Sequence, residues 1–401
     1  MEVVTMLNKN ITLKIDNENW GVFKLGDIAE EISVRIDNPS DCNLEKFVGL
    51  QNFVSGDLKI KNFESAEGLT SAAKSFKSGD VLFARRNAYL KRASLVDFDG
   101  MCSGDAFVLR ENHDLIKPGF LAFIVNSLAL WNYANSNAEG TMSKRVKWRD
   151  LAAFKFKLPP IEEQKKISAL LWSKNSVLDT LEDLNSKALM TRKVHFQARI
   201  CPDECKRNGW KSEKLKNFAS IVRGSSPRPA GSKELFDGSF LPWVTVGSLT
   251  KNTSPYLRET QVKSYLTEKG ALQTRIIPPN TVLLSNSGYS LGVPRILTFE
   301  AGANDGVAAF LELKGLEKEY LYYFLDSITE HLRNRIAAGA DQPNLNTTRI
   351  GNLEIPVPPI AIQKEIVNEM LAFDKAINSM NVSLDSGKKI LAEILNQTFS
   401  K

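Results

Sequence analysis

The chain has 401 residues, 43% of them hydrophobic and 24% charged, which is enough apolar material to bury real cores and a length that predicts two to three domains. Lys and Arg exceed Asp and Glu by six and the pI is about 8.9, a balance that suits a nucleic-acid partner but is too mild to demonstrate one. The four cysteines, Cys42, Cys102, Cys201 and Cys205, exclude a disulfide framework and suit a reducing cytosol; with no signal-peptide core and no run of about 18 apolar residues, a cytoplasmic protein without a membrane partner is expected.

Residues 1–158 alternate short apolar runs, such as VLFA at 81–84 and AFVL at 106–109, with Gly, Asn and Ser turns, and carry one helix near 117–130. The pattern predicts a mixed α and β globule. Directly after Val81-Leu82-Phe83 come Arg85, Arg86, Asn87, Tyr89, Lys91 and Arg92. A polar loop at the end of a rigid strand is a usual place for binding groups; an ordinary turn is the alternative. Further on, Lys144, Arg145, Lys147 and Arg149 put four cations in six residues around Trp148. That density suits phosphate contact with counterion release, the alternative being a solvated face.

Pro159 and Pro160 fix φ and lack an N–H, so they end what precedes them and start a helix over 159–200. Its apolar face runs through Ile167, Leu171, Leu178, Leu181, Leu184 and Ala188, set among Glu162, Glu163, Lys165, Lys166, Glu182 and Asp183. After it, Pro202-Asp203-Glu204-Cys205-Lys206 reads as a linker and not as a nuclease signature, because the two acids are adjacent in sequence. Cys201, Cys205 and His195 match no standard zinc spacing, and His113 and His331 lie far off; no metal site is expected.

From residue 201 the chain repeats itself. GTMSKRVKWRDLAAFKFKLPPIEEQKKI at 140–167 aligns without gaps to GADQPNLNTTRIGNLEIPVPPIAIQKEI at 339–366, an offset of 199. Upstream, FLAFIVNS at 120–127 resembles YLYYFLDS at 320–327, and Trp20 before Lys24-Leu25 mirrors Trp210 before Lys214-Leu215. Residues 201–357 are therefore a second globule, with its helix near 317–337. Its counterpart of the first basic loop is Ser285, Asn286, Ser287, Gly288, Tyr289 and Ser290, with Arg295 beyond. The counterpart of the second is nearly uncharged and contains Gln342, Asn344 and Asn346. The two loops have diverged chemically while their scaffold persists, as expected if they read different targets; Gln and Asn can bond adenine edges bidentately and Arg guanine edges. Arg223, Ser225, Ser226 and Arg228 form a third candidate loop, in which Pro227 and Pro229 make a simple rigid turn an equal reading.

Pro358 and Pro359 then open a second helix over 358–401. Ile366, Met370, Phe373, Ile377, Met380, Leu384, Gly387, Leu391 and Ile394 alternate spacings of four and three, the seam of a coiled coil broken only by Gly387. Two such seams in one chain can satisfy each other as an antiparallel pair with the globules at opposite ends. At about 1.5 Å per residue, some 35 residues make a rod of roughly 50 Å, near one and a half turns of B-DNA.

Enzyme signatures are missing. The Pro-Pro sites read Leu-Pro-Pro-Ile, Ile-Pro-Pro-Asn and Val-Pro-Pro-Ile, none of them the Asn- or Asp-Pro-Pro-aromatic element of adenine methyltransferases, and no Walker A string occurs. The layout of globule, Pro-Pro-x-x-x-Gln-x-x-Ile and long helix, written twice with Pro159, Pro160 and Gln164 and then Pro358, Pro359 and Gln363, resembles the type I restriction-modification specificity subunits over essentially the whole chain. The second copy departs in having Ile362 where an acid is usual, as Glu163 is in the first. The resemblance implies an α+β fold, with two duplicated target recognition domains joined by two long helices in an antiparallel coiled coil. It also implies a non-catalytic subunit that binds a bipartite double-stranded DNA site and recruits two methyltransferase and two restriction subunits. It places no cofactor in this chain and assigns S-adenosylmethionine, ATP and Mg to the partner subunits. The alternatives are an interaction scaffold with two ligand-binding globules and no DNA role, and a fragment of an enzyme whose catalytic domain lies elsewhere.

Overall fold

The protein, a computed structural model, is described for residues 17–39, 42–288, 290–336 and 345–399. It divides into two compact units, one of residues up to Leu181 together with Ser383 onward, the other of Glu182–Val382. Each unit takes part of both long helices into its core.

In the first unit the run Val81–Ala84 is buried at every position, as a continuous apolar strand inside a two-sided core should be. It lies between Ala106–Glu111 and Ala93–Leu95 in a four-stranded antiparallel sheet completed by Ala29–Ile32. A second, five-stranded sheet runs in the order Arg35–Ile36, Ala73–Phe76, Gly100–Ser103, Lys46–Val48, Glu64–Ser65, with one parallel pair. Strand Gly21–Lys24 pairs antiparallel with Lys155–Leu158, which brings the described start of the globule against the strand leading into the Pro-Pro. The helix expected near 117–130 is broken: Leu121–Val125 ends at Asn126, and Ser127 caps a second segment, Leu128–Ser136, by accepting from the Leu130 N–H at 3.4 Å.

The second unit repeats the plan. Val282–Ser285 pairs antiparallel with Val307–Leu311 and Pro294–Leu297, in a five-stranded sheet that also holds Ser220–Arg223 and Tyr256–Leu257. Lys211–Lys214 with Glu354–Val357 matches the first unit's terminal pair. A four-stranded sheet of Tyr265–Leu266, Leu241–Val244, Ala301–Ala303 and Ile276–Ile277 stands where the first unit has its five-stranded one. The helix expected near 317–337 is Lys318–Ser327, followed by the short turns Thr329–His331 and Leu332–Ile336.

Both long helices, Ile161–Arg199 and Ile360–Thr398, have 39 residues, and each begins at its Pro-Pro. Within each unit they run antiparallel. In the second unit the partners are Asn185 with Asn381, His195 with Glu369 and Arg199 with Glu365, so numbers rise in one helix as they fall in the other. In the first unit Leu178 and Gly387 meet: a Cβ on Gly387 would lie 2.5 Å from Leu178 Cδ2. The glycine that interrupts the apolar series is thus the hole into which a leucine seats. The second helix buries Ile366, Met370, Ile377, Leu384, Leu391 and Ile394, as its spacing predicts, with Phe373 and Met380 half-buried. The first helix departs from expectation at several positions. Leu184 is 48% exposed, and Asn175, Arg192 and Phe196 are buried instead.

Candidate nucleic-acid interface

The two basic loops read separately from the sequence are brought together in the first unit. Backbone bridges join Arg86 to Arg145 and Arg145 to Glu139, the Asn87 N–H donates to Lys144 O at 2.8 Å, and the Val146 N–H donates to Arg85 O at 3.0 Å. Asp105, which the sequence reading did not single out, sits at their centre. Arg145 donates to it from Nε at 2.8 Å and Nη2 at 3.1 Å, and Arg85 and Arg86 lie at 3.7 Å. The Arg145 hydrogen bond, outweighing partial burial, holds the Asp105 carboxyl below its ordinary pKa, with the charges of Arg85 and Arg86 adding to the effect. Sheet register could have found this residue: Ala106 pairs with Ala84, so the positions flanking that pair, Asp105 and Arg85, must face each other.

The remaining candidates of this unit separate by what they touch. Arg86 is held by Ser143 Oγ through Nε and Nη2, at 3.2 and 2.9 Å. Lys147 pairs with Glu139 at 2.6 Å and Arg149 with its neighbour Asp150 at 3.2 Å. Lys144, Arg145, Lys147, Arg149 and Tyr89 are exposed, and Lys91 is half-buried in a left-handed conformation, as Asn87 is. Arg92 is turned inward as a loop brace, donating to the carbonyls of Leu50 and Arg86 at 3.0 and 3.2 Å; burial lowers its pKa. Trp148, inside the basic run, is half-buried with its ring edge-on to Phe107, so it anchors the loop and is not a stacking platform.

In the second unit several expected contacts prove internal. Ser285 is fully buried, donating to Ser290 O at 2.5 Å and accepting from the Val293 N–H at 2.8 Å. Asn286, at the position of Arg85, is likewise fully buried. Arg295 is 7% exposed and bonds the carbonyls of Pro294 and Asn252. None of these three can touch a duplex without leaving the core. Asn346 caps the helix Thr347–Gly351 by accepting from the Arg349 N–H at 2.8 Å, which uses its side-chain oxygen locally. Tyr289, Gln342 and Asn344 lie outside the described residues. What does gather at the surface is Arg223, donating to Asp305 O at 2.7 and 3.0 Å, Arg228 at 3.7 Å from the Asp305 carboxylate, and Arg275, donating to Arg223 O at 2.6 Å. Arg275 was missed because it lies about fifty residues further along the chain, just before the strand Ile276–Ile277, and joins the loop only through the fold.

The Pro-Pro motif has a structural explanation. Gln164 is buried and donates from Nε2 to Leu115 O and Pro159 O at 3.1 and 2.9 Å, while its Oε1 accepts from the Lys117 N–H at 2.9 Å. Gln363 repeats this on Gly315 O, Pro358 O and the Glu317 N–H at 3.2, 2.9 and 2.9 Å. Each glutamine clamps the first turn of its long helix to the loop before the globule's own helix. The acid at 163 accepts from Trp20 Nε1 at 2.8 Å; Ile362 instead joins the second unit's apolar core, so the copies secure this corner by different means.

Among the described residues no cluster of His, Cys, Asp and Glu is of a kind to hold a metal, and no helix is long and apolar enough to cross a membrane. Two globules of one plan, each presenting arginines around an aspartate and each followed by a clamped long helix, define a duplicated α+β recognition protein. The family model for the type I restriction modification DNA specificity domain matches residues 17–187 and again 207–385, and the chain belongs to that family.

The chain is 28% identical over 194 residues to the MjaIX specificity subunit of Methanocaldococcus jannaschii, a stretch that makes up 47% of this chain and 44% of that one, so it spans less than half of that relative. To the MjaVIII specificity subunit of the same organism it is 21% identical over 413 residues, covering 94% of this chain and 92% of the other. A solved chain of a type I R-M system, 22% identical, covers 95% of this chain and 97% of its own with a TM-score of 0.54, a likeness of fold.

Proposed function

We propose that this chain is the non-catalytic sequence-reading subunit of a type I restriction-modification complex, binding duplex DNA through both globules, one half of a bipartite site each, and recruiting methyltransferase and restriction subunits. The observation that carries the reading is the convergence of two sequence-distant basic loops around Asp105 at the end of a buried sheet. Cations on a rigid support suit phosphates and base edges together. The weaker arginine group around Asp305 gives the second globule a related but chemically different surface, as two unlike half-sites require. Two similar helix faces in one chain would present one docking patch twice, giving two methyltransferase subunits a physical basis. S-adenosylmethionine, ATP and Mg would be bound by those partners, and base extrusion and methyl transfer would occur there.

The test is to co-express the chain with its neighbouring methyltransferase subunit in a host lacking other adenine methylation and to map N6-methyladenine by single-molecule sequencing. A bipartite motif with a fixed unread gap supports the reading. A folded, co-purifying complex that methylates no defined motif replaces it with a scaffold that has no sequence-reading role.

A further inference from the structure

Arg145 is not merely one cation among several, because its geometry singles it out. A guanidinium has two usable faces for bidentate bonding: a side edge made by Nε and one N–H of Nη2, and an end made by Nη1 and the other N–H of Nη2. Asp105 occupies the side edge, with Nε on Oδ1 at 2.8 Å and Nη2 on Oδ2 at 3.1 Å. The end carries no protein hydrogen bond among the described residues, and the side chain is 44% exposed. Two parallel donors at the end of a planar fork match the O6 and N7 acceptors on the major-groove edge of guanine.

The support beneath the fork is fixed as well. The Arg145 backbone pairs in both directions with Glu139, at 2.8 and 3.0 Å. Asp105 is held by its own backbone, which accepts from the Arg85 N–H at 3.0 Å and donates to Ser103 Oγ at 3.2 Å. Base readout needs this pre-organisation, since an arginine that must surrender several rotamers on binding loses much of what it gains. Phosphate contact needs only charge, which Lys144 and Lys147 beside it supply.

We propose that Arg145 reads a guanine in the half-site of the first globule, and that Asp105 is its positioning residue. The assignment rests on the DNA-reading function proposed above and adds to it a base, a residue and a half-site.

The complete methyltransferase complex is the material for the test. N6-methyladenine maps are compared for the wild-type chain, Arg145→Ala, Arg145→Lys, Asp105→Asn and the Arg145→Ala/Asp105→Asn pair. The wild-type motif should contain a guanine at which Arg145→Ala lowers the preference over other bases by roughly ten- to hundredfold, the other half-site and the gap staying as they were. Arg145→Lys should relax the same position, since it keeps the charge and loses the fork. Asp105→Asn should relax it too, and the pair should relax it no further than Arg145→Ala alone, the mark of two residues acting as one unit.

Variants that methylate every site less, with no change of base preference, overturn the assignment and leave Asp105 and Arg145 as a loop brace. So does a wild-type motif with no guanine in either half, although the proposed function then stands. A wild-type complex with no motif overturns both.

Discussion

Gln363 makes three hydrogen bonds through one buried amide, two as donor and one as acceptor, and Gln164 does the same in the other copy. Only a side chain of that length carrying both functions can bond a carbonyl in its own first turn and two backbone groups of a distant loop. Removing it takes the partner from the half-buried Glu317 N–H and from two carbonyls, that of Pro358 in a buried bond, an effect larger than the net worth of the bonds themselves. Gln363→Ala should therefore destabilise the second unit by about 2–3 kcal/mol, seen as a drop in Tm of roughly 5–10 °C. Gln363→Glu should be no better, because a carboxylate would face two carbonyl oxygens. A Tm unchanged in both variants would show that the clamp is dispensable. The motif was legible in the sequence as a recurrence, Pro159-Pro160 with Gln164 and Pro358-Pro359 with Gln363. Its job was not, because the carbonyls of Leu115 and Gly315 are placed by the fold and bear no side-chain signature.

At the scale of the helices, the copies solve one packing problem with opposite chemistry. In the second unit Arg192, buried, bonds Asp326 at 2.8 Å and also Asp374, which accepts from the Tyr323 hydroxyl at 2.5 Å. Burial alone would lower the Arg192 pKa, but Tyr322, Asp326 and Asp374 outweigh it and raise it. The matching residues of the first unit are Leu391, Asn126, Asn175 and Phe123, with Leu391 and Phe123 in its apolar core. This explains why the second helix could be read from spacing throughout and the first only in part. An apolar seam announces itself, whereas Arg192 looks like any surface cation until its carboxylates arrive from two other elements.

Removing one member of such a group strands the others. Arg192→Leu should cost about 3–5 kcal/mol. Exchanging the charged members for what the first copy carries, Arg192→Leu with Arg295→Ser, Asp326→Asn and Asp374→Asn, removes two charges of each sign and should recover most of the loss. Arg295 belongs in the exchange because it lies among these charges and its counterpart is Ser94, which likewise bonds a loop carbonyl, that of Asp57 at 2.7 Å. Thermal denaturation of the single and fourfold variants decides it. A fourfold variant less stable than Arg192→Leu would mean that the ionic group stabilises this unit beyond what apolar packing can replace.

At the scale of the chain, the repeat was the most legible feature, since an ungapped match at one offset needs no knowledge of structure. The surface chemistry was the least legible. The register opposite strand Val81–Ala84 brought Asp105 to Arg85, while burial took Ser285, Asn286 and Arg295 out of reach of any ligand. The two units change over at Leu181 and Glu182 in one helix and at Val382 and Ser383 in the other, positions bracketed by the antiparallel pairings of Leu178 with Gly387 and Asn185 with Asn381. Seven residues inserted at both places, two helical turns in heptad register, would leave the contacts inside each unit as they are. The added length is about 10.5 Å at 1.5 Å per residue, close to three base pairs of B-DNA at about 34 Å per turn. If the helices measure the separation of two half-sites, the methylated motif of the double insertion should keep both half-sites and gain about three unread base pairs. Insertion in one helix alone should instead break the seam and abolish methylation. A double insertion that folds, methylates and keeps the wild-type gap would show that the spacing is set elsewhere, in the partner subunits or in the DNA.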